Sequence, residues 1–339
     1  MSDGRTHYHF FKGKRNKPII VCLHGISSKG TSWLDFAKLC NKQGYSVLCP
    51  DFYGRGFSDA VPKERNNIHL FTTQIAELLT QIYSLYPILP QIGIYLIGMS
   101  MGGAVAAEFT RIYTKLVRKT ILIAPAGLIK HPPIVNLAIS LGLHKLLSKF
   151  ITRSRIKQQL TKSFYNKSNP KIQDYISYLV EETLSWKKNH KGHILSINST
   201  ISNFEFTKLL DTYKVINKNN TPLFVIWGDK DVICSFTGLD IIRNTVSNVK
   251  TLVLKDCGHL DFWVIPKLKK KCIRVHWIFS IHKNTQYLCN LLITFLAINY
   301  FSCIFKTFAI LCENQVINFI CFWWCIYNTF FISTYTSKK

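Results

Sequence analysis

The feature that most constrains this chain is the run Gly98-Met99-Ser100-Met101-Gly102-Gly103, set between an apolar stretch over 92–97 and a small-residue stretch over 104–109. The first stretch reads as a buried strand and the second as a helix packed closely against it. A serine with glycines two residues to either side, at such a junction, sits on a strained turn that pushes its hydroxyl out of the sheet. Only residues without a Cβ let strand and helix pass so near each other. The same pentapeptide also serves as an ordinary strand-to-helix turn, so the rest of the chain decides between a nucleophile and a bend.

Around this turn, apolar runs alternate with amphipathic ones. Residues 17–23 read as a buried strand stopped at His24-Gly25, 31–41 as an amphipathic helix closed by Gly44, and 45–50 as the next strand. The loop over 51–59 contains a G-x-G too short for a dinucleotide or phosphate-binding motif. A helix over 68–86, a strand over 91–97, a helix over 100–116 and a strand over 120–124 follow. Strands and helices in this rhythm imply right-handed crossovers and a mostly parallel, doubly wound α/β sheet covered on both faces.

The rhythm breaks between 126 and 207, where helical patterns occupy 134–150, 155–165 and 172–186. Helices inserted between sheet strands read as a cap over the strand ends, where open α/β sheets bind ligands. Strands resume at 223–227 and 250–254, with a helix over 236–246 between them. The expected organisation is therefore a core in two parts (1–125 and 208–263), a helical cap (126–207) and a tail (264–339).

Charge and cysteine content narrow the partners. The net charge is +25, and no acidic residue occurs from Phe109 to Gln173, while lysines and arginines recur from Arg111 to Lys171. Such a face is either simply solvated or suited to anionic lipid headgroups. No RNA-binding module accompanies it, so nucleic acid is not expected as a partner. The eleven cysteines lack the spacing of a metal site, and the start of the chain is too polar for a secretory signal. Reduced thiols are expected, with no metal or cofactor.

Two further loops stand at predicted strand ends, Trp227-Gly228-Asp229-Lys230-Asp231 and Asp256-Cys257-Gly258-His259. In a parallel sheet both share an edge with Ser100, which gives the chain order Ser, Asp, His. Together with His24-Gly25 and Gly54-Arg55-Gly56-Phe57-Ser58-Asp59, these motifs resemble the α/β-hydrolase family, in its group of esterases and monoacylglycerol-lipase-like serine hydrolases, over about 17–262. The resemblance implies Ser100 as nucleophile, His259 as base and Asp231 as its orienting acid, with the backbone N–H groups of Ile26 and Met101 as the oxyanion hole. Asp229 lies nearer the strand, but the family's G-x-x-D spacing selects Asp231. His24 and Asp59 read as loop-packing residues, and Cys257 as a buried thiol. The implied reaction is hydrolysis of a lipid or small acyl ester through an acyl-serine intermediate.

The resemblance ends after Phe262. Lysines over 267–271 lead into a Cys-, Ile- and Phe-rich tail with apolar stretches at 287–305 and 316–332. Their length suits a membrane-anchoring hairpin, and their composition suits equally the translation of an intron. The family's last helix would then be missing and His259 would sit on a poorly supported loop. The expected location is cytoplasmic or membrane-associated. The competing reading is a catalytically impaired member of the fold that acts as a binding protein.

Overall fold

The structure, a computed structural model, describes residues 1–61, 66–86, 92–128, 141, 152–190 and 192–265. The expected helix over 134–150, apart from Leu141, and the tail after Ile265, with both apolar stretches, lie outside them. Among the described residues no helix is long and apolar enough to cross a membrane.

Strands β1 (Tyr8–Phe11), β2 (Ile19–Leu23), β3 (Ser46–Pro50), β4 (Ile94–Met99), β5 (Val117–Ile123), β6 (Leu223–Gly228) and β7 (Lys250–Leu254) form one seven-stranded sheet in the order β1-β3-β2-β4-β5-β6-β7. All neighbours are parallel except β1, which runs antiparallel along β3. Every residue of β2, β3, β4 and β6 is buried, because helices cover both faces and leave no solvent side for polar residues.

Helices α1 (Leu34–Lys42), α2 (Ile68–Leu85) and α3 (Met101–Ile112) connect the first strands. Local chemistry sets their ends. The Asn67 side chain accepts the Leu70 N–H at 2.9 Å to cap α2, and Gly44, at φ +85°, ends the turn after α1. Between β5 and β6 the described chain holds α4 (Arg153–Thr161), α5 (Pro170–Asn189), α6 (His193–Asn203) and α7 (Leu210–Lys218). Asn169 caps α5, with Pro170 at the first helical position, where its missing N–H costs nothing. The short helices α8 (Thr237–Thr245) and α9 (Asp261–Val264) complete the described fold.

Strand β1 and helices α6, α7 and α9 differ from expectation, and the first two show why. Strand β1 went unread because its residues are half-buried on an edge and alternate histidine with aromatics, without the apolar run of the inner strands. Helix α6 went unread because its buried positions include Ser196, Asn198, Ser199 and Thr200, polar side chains that periodicity scores as solvent-facing.

The main apolar core lies between the sheet and α2, α3, α7 and α8, and includes Phe71, Phe109, Tyr213 and Trp227. A second, smaller core joins α4 and α5 through Ile156, Phe164, Ile172, Ile176 and Val180, with Leu260, Val264 and Ile265 packed onto it. The register brings Leu23 beside Gly98, Met99 beside Ile123 and Gly228 beside Leu254. The loops after β2, β4, β6 and β7 thus leave the sheet at one edge, the edge where such sheets place ligands.

Candidate active site

Ser100 sits between β4 and α3 with φ 54° and ψ −121°, a left-handed conformation that a residue with a Cβ adopts only under constraint. Its backbone supplies that constraint. The Ser100 N–H donates to the Ile123 carbonyl at 3.0 Å, and the Ser100 carbonyl accepts from Gly103, Ala104 and Ala126 at 2.9 to 3.1 Å. Close approach explains two glycines: a Cβ on Gly98 would lie 2.2 Å from the Gly102 carbonyl, and one on Gly102 would lie 2.4 Å from that of Leu23. The thiol of Cys234 is buried beside the Ser100 hydroxyl, and burial pushes its pKa far up.

Asp231 and His259 meet across two loops. Asp231 Oδ2 stands 2.6 Å from His259 Nδ1, while Oδ1 accepts the N–H groups of Ile233 and Cys234 at 2.8 and 2.9 Å. Both side chains are buried. An ionised carboxylate only accepts, so Nδ1 donates in this contact. The loops approach backbone to backbone: a Cβ on Gly228 would lie 2.2 Å from the Cys257 carbonyl, which accepts the Lys230 N–H at 3.0 Å. Trp227 fixes the first loop from below by donating its indole N–H to the Cys234 carbonyl at 2.9 Å. Asp229 faces elsewhere, with Oδ1 3.4 Å from the Cys257 N–H and Oδ2 3.8 Å from Lys230 Nζ.

Gly25 brings the loop after β2 against Ser100, since a Cβ there would lie 3.6 Å from that of the serine. His24 pins this loop. Its Nδ1 donates to the Gly25 carbonyl at 2.7 Å and its Nε2 accepts the Phe52 N–H at 3.0 Å, so the ring is neutral, and burial holds its pKa down at about 4. Asp51, buried after β3, accepts the N–H groups of Gly30 at 2.6 Å and Phe57 at 3.0 Å and contacts His7 Nδ1 at 2.7 Å. Met101 opens α3, and the first N–H groups of a helix have no acceptor within it.

Three residues that the sequence reading did not single out hold these loops. Arg55 is fully buried, and its guanidinium donates to the carbonyls of Ile26 and Tyr53 and to the hydroxyls of Ser196 and Thr200, at 2.7 to 3.0 Å. Burial pulls its pKa down to about 9, which leaves it charged at neutral pH. His193 places Nδ1 3.1 Å from the Gly54 carbonyl, its pKa lowered to about 4 by burial and then by Arg55. Asp261 grips the loop that carries His259, and its carboxyl is raised above the usual range by burial. The only sequence signals were an arginine inside a glycine loop and an acid two residues after a histidine.

The expectation of a poorly supported histidine loop is corrected here. Leu260 donates its N–H to the Ser163 carbonyl at 3.0 Å, and the Trp263 indole reaches Met99 Sδ at 3.2 Å and meets the Trp33 ring edge-on. The inserted helices and the elbow strand hold the loop from two sides. Cys257 is buried with its thiol 3.3 Å from the Gly258 carbonyl, and burial pushes its pKa far up. Asp59 is a surface partner of Arg5. Among the described residues no group of His, Cys, Asp and Glu is arranged to hold a metal ion.

A parallel sheet of this order, with a strained serine after its central strand and an Asp-His pair at the same edge, defines an α/β-hydrolase. The chain belongs to the family described as serine aminopeptidase, S33, whose model matches residues 14–259. It is similar to monoacylglycerol lipase ABHD6 of Mus musculus, 27% identical over 286 residues that cover 80% of this chain and 79% of that one. It is also similar to a putative esterase/lipase 2 of Mycoplasma genitalium, 22% identical over 76% of this chain and 88% of the relative. Among solved structures, the α/β hydrolase MGS-M2 from a Medee basin deep-sea metagenome library superimposes with a TM-score of 0.67 at 16% identity, covering 83% of this chain and 96% of that one. The esterase EaEST from Exiguobacterium antarcticum gives 0.60 at 18%, covering 85% and 96%. These structural likenesses show the fold. The family and its monoacylglycerol lipase relatives make the chain a carboxylic ester hydrolase of esterase and lipase type.

Proposed function

We propose that this hydrolase cleaves a lipid or small acyl ester through an acyl-serine intermediate, with Ser100, His259 and Asp231 as the triad. The observation that carries the reading is the buried 2.6 Å contact between Asp231 and His259 at the sheet edge from which Ser100 projects. A serine hydroxyl attacks a carbonyl carbon only as its proton leaves, and His259 Nε2 is the acceptor. For this the hydroxyl turns toward the imidazole, a rearrangement ordinary on substrate binding. The carbonyl π pair moves to oxygen, and the N–H groups of Met101 and Ile26 stabilise the oxyanion. The pair then returns, the ester C–O bond breaks, and the leaving alkoxide takes the proton from His259 Nε2. Water repeats the sequence on the acyl-enzyme and releases the acid. Asp231 holds the tautomer and stabilises the imidazolium.

The relatives named monoacylglycerol lipases support a monoacylglycerol as substrate. A substrate of that kind resides in bilayers. The exposed Lys157, Lys162 and Lys167, in a stretch without acidic residues, support docking on an anionic membrane surface. The test is labelling by a fluorophosphonate and turnover of p-nitrophenyl butyrate and of a monoacylglycerol, by the full chain and by Ser100→Ala. Labelling and turnover that vanish in Ser100→Ala support the reading; turnover that survives overturns it. Sedimentation with anionic vesicles, lost at high salt, tests the surface; equal binding to neutral vesicles refutes it.

A further inference from the structure

Asp261 is fully buried and opens helix α9, two residues beyond His259. Its Oδ2 accepts two main-chain N–H groups from segments far apart in the chain, Gly258 at 2.6 Å and Tyr165 at 2.8 Å. The first belongs to the loop that carries His259, the second to the insertion between α4 and α5. A further bond joins the same segments, from the Leu260 N–H to the Ser163 carbonyl. Contact is close enough to require glycine: a Cβ on Gly258 would lie 2.9 Å from both the Ser163 carbonyl oxygen and the Tyr165 nitrogen, and 2.7 Å from Asp261 Oδ2. Beneath them, Leu260 and Val264 pack on the small core of α4 and α5.

We propose that Asp261 is a positioning residue for His259, its carboxylate clamping the histidine loop onto residues 163–166 so that the place of the imidazole depends on the seating of the insertion. This rests on the reading of His259 as general base. The physical case is one of unmet demand: without Asp261, the buried N–H of Gly258 and the part-buried N–H of Tyr165 lose their acceptor, and a buried donor does not stay unpaired. The backbone at 258 then moves to find another partner, and the ring of the next residue moves with it. A carboxylate suits the task because a charge-assisted bond to N–H is shorter and stronger than a neutral one. Burial opposes its ionisation, so the residue is not one that packing alone favours.

The experiment compares wild type, Asp261→Asn and Asp261→Ala as full chains, with Ser100→Ala as control. It measures the rate constant and the final stoichiometry of fluorophosphonate labelling, kcat and KM for p-nitrophenyl butyrate, and amide exchange in peptides spanning 160–168 and 255–265. Misplacing a catalytic group by an ångström costs up to about a hundredfold, so Asp261→Ala is expected to lower the labelling rate constant and kcat by about tenfold to a hundredfold. Stoichiometry and KM are expected to stay near wild type. Asp261→Asn, whose amide oxygen still accepts, recovers most of the rate. Both peptides exchange faster in either variant, and together.

Unchanged rate constants in Asp261→Ala overturn the proposal, as does a fall in stoichiometry that accounts for the whole loss, because that is the mark of a misfolded fraction. If Asp261→Ala does not fold, Asp261→Asn decides: wild-type exchange in the 160–168 peptide refutes the clamp. Labelling that persists in Ser100→Ala, or is absent from wild type, instead removes the triad reading and this proposal with it.

Discussion

The loop that carries Gly25 and Ile26 and the loop that carries His259 are held in place by opposite chemistry. On the first side a buried cation, Arg55, reaches out with four hydrogen bonds to two carbonyls of the core and two hydroxyls of α6. On the second a buried carboxyl, that of Asp261, gathers main-chain N–H groups from its own loop and from the insertion. Both tie a loop at the sheet edge to the inserted helices. They differ in what they can tolerate. A guanidinium is a long fork that spans gaps between side chains, whereas a carboxylate on a short stem demands that two backbones already lie side by side. The first loop should therefore fail through lost stability, and the second through lost geometry.

The largest effect separates the two acids of the loop after β6. Asp231→Ala is expected to lower kcat for p-nitrophenyl butyrate about ten-thousandfold, the scale of losing the residue that sets a histidine tautomer. Asp229→Asn should stay within about twofold, since its contacts are partly exposed. Equal losses in the two would remove the distinction. Next in size, Arg55→Ala is expected to cost about 3 kcal/mol in denaturant unfolding, because it strands buried acceptors in the core and in α6. Arg55→Lys should recover little of this, since a single ammonium cannot cover the fork's directions. A stable Arg55→Ala with slowed labelling would show that this side too works through geometry.

The response to pH sharpens the contrast. His24 and His193 are held neutral, their pKa values lowered from 6.5 to about 4, mainly by burial. A base with a depressed folded pKa contributes stability that is present above its unfolded value and is lost as pH falls, here between 6.5 and about 4. Asp261 acts in the other sense: its folded pKa is raised, so its contribution is present in acid and is lost as pH rises through the raised value. Melting temperature against pH should therefore fall toward pH 4 in wild type, with a shallower fall in His193→Gln. A flat profile contradicts the neutral, buried histidines. The smallest effect is expected from thiol chemistry. Burial keeps Cys234 and Cys257 protonated, so iodoacetamide at neutral pH should change the folded enzyme's activity by less than about twofold.

Much of the core could be read from the chain because inner strands of a parallel sheet must be apolar on both faces. Residues 19–23, 94–99 and 223–228 announce themselves in that way. Edge strand β1 could not be read because it is half-buried and lacks an apolar run, and the polar-faced α6 could not because partners distant in sequence satisfy its polar residues. Asn66, for instance, donates to Ser199 and accepts from Ser196. The same reason hid Arg55. Its bonds to Ser196 and Thr200 span more than a hundred residues, and nothing in Gly54-Arg55-Gly56 says which way a guanidinium points.

By itself the sequence determined the strand-turn-helix around Ser100, the order of serine, acid and histidine, and the edge at which they meet. These follow from local periodicity, from glycines that permit close backbone approach, and from the handedness of crossovers. The resemblance already pointed to Asp231 over Asp229, but tertiary structure alone brought its carboxylate against His259, and it alone decided that the histidine loop rests on the insertion through Asp261. Both depend on how two loops separated along the chain bring single polar atoms within 3 Å of each other. A one-dimensional pattern carries no such distance, because a hydrogen bond is specified by direction in space and not by spacing along the chain.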